Sequence, residues 1–134
     1  MAERELEATT ANFSTTVEPR PEWLRELRTS VRAWLEGARV DKALRDSVIL
    51  ATHEVAATAV GKELKLEVEA TLDDGVIRFF FRGGDWASLS DEEGGLRSRF
   101  IHDLASEVEV QPERSTLALS FHLYEDTSPF RVQA

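Results

Sequence analysis

The spacing of apolar side chains changes once along this chain, near Leu64, and that change limits the fold more than any other feature. Before it, small or apolar residues recur every three or four positions: Leu24, Leu27, Val31 and Trp34–Leu35, then Leu44, Val48, Thr52, Val55 and Ala59. This is the period of helices that bury one side. After it, Leu64, Leu66, Val68, Ala70 and Leu72 alternate with charged residues, the period of a strand with one wet face. The chain should therefore hold a pair of helices followed by a sheet.

Turn and cap residues set the boundaries. Pro21 suits the first turn of the first helix and Gly37 its end, while Asp41 is placed to cap the second helix and Gly61 to close it. Upstream, Phe13, Thr15 and Val17 alternate with polar neighbours in a short strand that Pro19 stops. Asp73-Asp74-Gly75 is a hairpin turn into "VIRFFFRG", a strand apolar enough to be central. "GDWASLSDEEGG" has turn chemistry and no period, so it reads as a loop. Leu96, Phe100, Ile101 and Leu104 restore helical spacing. "VEVQ", a turn at Pro112 to Arg114, and a strand aligning Leu117, Leu119, Phe121 and Leu123 complete the order. That order predicts an α/β protein of the α+β type: a two-layer sandwich, three helices on one face of a mixed, mostly antiparallel sheet. The domain is expected over residues 11–125, between a flexible N-terminus at 1–10 and a C-terminal tail at 126–134.

Composition removes several functions. A length of 134 residues suits one domain with its own core. The 42% of hydrophobic residues never gather into the ~20 in a row that a spanning helix needs. The acidic, polar start "MAERELEATT" is unlike a secretory signal, and with no cysteine there are neither disulfides nor thiolate metal sites. A cytoplasmic protein is expected. The formal charge of −9 repels nucleic acid and anionic membranes and is compatible with a basic protein partner.

One pair of residues points to chemistry. His53-Glu54 on the second helix begins as a zinc-hydrolase helix does, but that site needs a second histidine four residues after the first, where this chain has Ala57. His102 and His122 are isolated from each other, so the zinc reading fails and Glu54 needs another role.

Three stretches suggest one. "HEVAATAV" at 53–60, "EGGLRSRFIHDLASEVEV" at 93–110 and "TLALSFHL" at 116–123 occur in this order with matching spacers. Together they resemble the anti-sigma-factor serine kinases of the histidine-kinase-like ATPase superfamily (the GHKL or Bergerat fold) over about residues 12–124. The resemblance implies a site for ATP and Mg²⁺. Glu54 stands where the family glutamate orients or deprotonates the attacking hydroxyl or water. Thr58 replaces the asparagine that holds Mg²⁺, with an oxygen on a shorter stem. Arg82 falls at the aspartate that accepts from the adenine amine, and a guanidinium has no acceptor to offer. Gly84 is the first glycine after it, and Trp86 replaces the second. Glu93 replaces the first glycine of the phosphate loop, where a carboxylate adds like-charge repulsion; Gly95 keeps the second glycine. Thr116 keeps an adenine-pocket residue.

By this resemblance ATP binding is lost or weak, there is no resident cofactor, and the chain binds a sigma factor or an anti-sigma antagonist. The first helix, with its arginines and Trp23 or Trp34, is a candidate contact surface. A homodimer is also expected, from the apolar surface of the three tryptophans and the "FFF" strand. The alternative is an active serine/threonine protein kinase that uses ATP and Mg²⁺ with Glu54 as base.

Overall fold

A computed structural model describes residues 11–89 and 95–123. The terminal segments 1–10 and 126–134, and Glu93, lie outside the described residues. The elements follow the expected order: β1 (Ala11–Val17), α1 (Glu22–Gly37), α2 (Lys42–Gly61), β2 (Leu66–Asp73), β3 (Val76–Arg82), α3 (Leu96–Leu104), β4 (Glu107–Gln111) and β5 (Thr116–His122). A 3-10 turn at Ala87–Leu89 breaks the loop before α3.

The strands form one five-stranded sheet in the order β1-β2-β3-β5-β4. Every pairing among them is antiparallel, so the expected mixed sheet is corrected to a wholly antiparallel one. The β2–β3 hairpin is closed by Asp74 and Gly75 at φ 57° and 77°, the double positive φ of a type I′ turn. Alternation fixes the two faces of the sheet. Leu66, Val68, Ala70 and Leu72 share the buried face with Ile77, Phe79 and Phe81 and with Leu117, Leu119 and Phe121.

The helices cover that face as a second layer, giving the expected α+β sandwich. Leu27, Val31 and Leu35 form the buried stripe of α1, and Val48, Ala51, Thr52, Val55 and Ala59 that of α2. An aromatic chain runs through the layer contact. Phe13 meets Trp34 at 5.5 Å, Trp34 meets Phe79 edge-on at 5.9 Å, Phe79 stacks on Phe81 at 5.9 Å, and Phe81 meets Trp86 at 6.4 Å. Phe79, Phe81 and Trp86 are buried, and Trp23 and Trp34 pack against the core. Of the aromatics expected to offer a dimer surface, all but Phe80 therefore pack in or against the core, and Phe80 is half-buried on the opposite face of the sheet.

The helix ends differ from expectation in detail. Asp41 precedes α2 with extended backbone, but its side chain makes no capping bond. Gly37 and Gly61 end their helices without taking the left-handed conformation, which falls on Arg39 and Glu63 at φ 63° and 61°. Backbone bonds from Val40 to Leu35 and from Leu64 to Ala59 close both ends in the Schellman manner.

Candidate functional site

Glu54 and Thr58 lie one turn apart on α2, so they face the same way, toward α3. Two adjoining depressions separate the two helices there. One of about 630 Å³ is lined by Glu54, Leu96, Arg97, Arg99, Phe100 and Asp103. The other, of about 390 Å³, has Thr58, Lys62, Ser88, Leu89, Arg97 and Ser98 in its walls. Arg97 belongs to both and divides them.

Arg97 is the residue that the sequence did not single out. Gly95 starts α3 at φ 124°, and an added Cβ there would meet nothing within 4 Å, so glycine is needed for the backbone angle alone. From the first turn of α3, Arg97 reaches back across the groove. Its Nε donates to Glu54 Oε1 at 2.9 Å and an Nη donates to Thr58 Oγ1 at 3.2 Å. The Thr58 hydroxyl in turn donates to the Glu54 main-chain oxygen at 3.1 Å. One signal was available. A cation in the first turn of a helix opposes the helix dipole and needs a carboxylate partner elsewhere.

His53 sits beside Glu54 and accepts a hydrogen bond at Nδ1 from Arg28 of α1, at 3.0 Å. Partial burial, then the Arg28 charge, holds its pKa below the ordinary histidine value, with Arg97 acting the same way and Glu54 opposing. It is therefore neutral at pH 7, with its proton on Nε2.

The remaining candidate residues do not join this group. Arg82 and Thr116 are paired across β3 and β5 on the parity opposite to Phe81 and Leu117, so both lie on the sheet face away from the helices. Arg82 ion-pairs with Glu69 at 3.0 Å and lies over the Phe80 ring. Thr116 Oγ1 donates to the Arg114 carbonyl. Trp86 folds inward, its Nε1 donating to the Ser115 carbonyl at 3.0 Å. Its ring fills the space beside Gly84, where a Cβ would fall 2.3 Å from it.

These positions test the fit of Mg-ATP. Glu54 Oε1 and Thr58 Oγ1 already accept from a guanidinium. No group of three or more His, Asp or Glu side chains gathers as a metal cage among the described residues. At the positions that the resemblance gives to the base end, Arg82 lies on the sheet face away from the helices and the Trp86 indole stands in place of a glycine. The residues present do not fit the nucleotide and its metal.

No protein-family model and no curated protein matches the chain. Among solved structures it is similar to the crystal structure of the RsbU and RsbW domains of Rv1364c from Mycobacterium tuberculosis, with a TM-score of 0.65 and 21% identity. The match covers 84% of this chain and 32% of that one, about a third of its length. The likeness shows a shared fold. No helix of the described residues is long and apolar enough to cross a membrane.

Proposed function

We propose that this chain is a regulatory binding protein of anti-sigma type that has given up ordinary ATP binding. It acts in the cytoplasm by contact with a sigma factor or an anti-sigma antagonist. The sequence resemblance and the fold shared with an RsbU–RsbW chain support the lineage. One observation carries the loss of catalysis: Arg97 joins Glu54 to Thr58, the two positions that would serve the attacking hydroxyl and the metal. The guanidinium lies where an attacking hydroxyl and a metal would have to reach these two side chains, and phosphoryl transfer without a positioned metal has little to work with.

Calorimetric titration of the full chain with ATP, with and without Mg²⁺, tests this directly. Binding no tighter than about millimolar, near −4 kcal/mol, is expected, with no gain from the metal. A micromolar dissociation constant that requires Mg²⁺ would overturn the proposal and return Glu54 to the role of catalytic base in a serine/threonine kinase.

A further inference from the structure

The two edges of the sheet, β1 and β4, are built differently. β4 is five residues long, carries the exposed Glu107 and Glu109, and is followed at once by Pro112. Short length, charge and proline are common means by which an edge strand avoids pairing with another chain. β1 has none of them. Its seven residues, "ANFSTTV", include no charge and no proline. It pairs with β2 without a break from Ala11–Leu72 to Val17–Leu66, so no bulge twists its free side away. Among the described residues, no backbone group of a turn or loop bonds to Ala11–Val17, and no strand lies beyond it.

The same edge leaves apolar area half-covered. Trp23, Leu27 and Ser30 of α1 line a small depression with Thr15, Thr16 and Val17, and Trp34 packs on Phe13 at 5.5 Å. Phe13, Trp23 and Trp34 are each half-buried. The charged residue of that depression is Glu26. At a formal charge of −9, two copies of this chain repel wherever their acidic faces meet, and β1 adds nothing to that repulsion.

We propose that β1 pairs antiparallel with β1 of a second copy of this chain, joining the two five-stranded sheets into one across a two-fold axis. This goes beyond the reading of the chain as a regulatory binding protein and does not depend on it. It also gives a homodimer a basis other than the aromatics, which pack mostly in or against the core. Geometry sets the register. Side chains opposite each other in an antiparallel pair lie on the same face of the sheet. Phe13, Thr15 and Val17 share the helix-covered face with their β2 partners Ala70, Val68 and Leu66, so odd-numbered residues must oppose odd-numbered ones. The centred register does this with the whole strand paired. Phe13 then opposes Thr15 of the second copy, and the two Ser14 residues meet on the axis. A two-fold pairing of this kind closes as a dimer and leaves only the two β4 edges open.

The test is sedimentation of the full wild-type chain, which should find a dimer at micromolar concentration. Ser14→Lys places two like charges face to face on the axis and should weaken the dimer about tenfold or more. Within each copy the new lysine stands opposite Glu69, so the fold should hold, which circular dichroism checks. Ser14→Glu should weaken the dimer as well, and an equimolar mixture of the two variants should pair more tightly than either alone. A wild-type chain that stays monomeric overturns the proposal. So does a dimer indifferent to both variants, a mixture no tighter than its parts, or a dimer dissolved instead by Leu96→Asp on α3. Assemblies larger than a dimer that Ser14→Lys strengthens would overturn it too, because β1 would then be pairing with the acidic β4 of the next copy. Micromolar Mg-ATP binding would sink the functional reading and leave this result untouched.

Discussion

The two ends of the cleft implied by the family resemblance are closed by different physics. At the base end, Trp86 is 2% exposed, packs on Phe81, fills the space beside Gly84 and hydrogen-bonds the Ser115 carbonyl. At the other end, Arg97 lies across the groove with its side chain 48% exposed and holds Glu54 through a partly solvated ion pair. The first closure is part of the core. The second is a surface contact, worth little when water and salt compete for it. Under the proposed reading, a site that had only weakened would show the second kind alone, and an indole at the position that the resemblance gives to the base end would commit the core to the loss.

The largest effect should come from breaking the packed end. Trp86→Ala removes a buried aromatic and its hydrogen bond, and should destabilise the chain by about 3–5 kcal/mol in urea unfolding. A loss under about 1 kcal/mol would mean that the indole is a movable flap. Gly84→Ala is the milder version of the same test. Its Cβ would fall 2.3–2.6 Å from the Trp86 ring, and displacing the ring should cost about 1–3 kcal/mol.

Those two positions also mark where sequence reasoning stopped. Element order, the Asp74-Gly75 turn and the core stripes were legible because period and turn chemistry are local properties. Trp86 was not placed, because an aperiodic loop carries no parity to say which way a side chain points. Arg82 was assigned to the base pocket although it faces away from the helices. Three consecutive phenylalanines hid the alternation that separates Phe79 and Phe81 from Phe80 and Arg82. An acceptor restored at position 82 would consequently face solvent. Arg97 escaped because its partners are 39 and 43 residues away, beyond any helical or strand period. The left-handed residues Arg39 and Glu63 were missed for a simpler reason: glycine is the usual occupant, and here the chain places it two residues early.

The groove end should respond weakly. A double-mutant cycle of Arg97→Ala and Glu54→Ala should return a coupling of about 0.2–1 kcal/mol, falling as salt is raised. Neither single variant should bind Mg-ATP at micromolar concentration, because the base end remains filled. A coupling well above this range, insensitive to salt, would place Arg97 on the same footing as Trp86 and erase the contrast.

The smallest effect separates the two ends by pH. The contacts that hold Trp86 contain no titratable group, whereas His53 borders the groove and accepts from Arg28 only when Nδ1 is unprotonated. Burial and the Arg28 charge lower its folded pKa beneath the unfolded value of about 6.5. As pH falls below about 6.5 the unfolded chain therefore takes up this proton before the folded one does. The contribution of His53 to stability is complete above that pH and is lost as pH falls through the folded pKa. Urea midpoints measured from pH 7.5 downward should consequently decline more for the wild type than for His53→Gln, whose amide oxygen can still accept from Arg28 and does not titrate. The difference between the two curves isolates this group from the many carboxylates that titrate lower. If the curves run parallel through that range, His53 is not coupled to folding, and the groove edge is set by α1 and α2 packing without it.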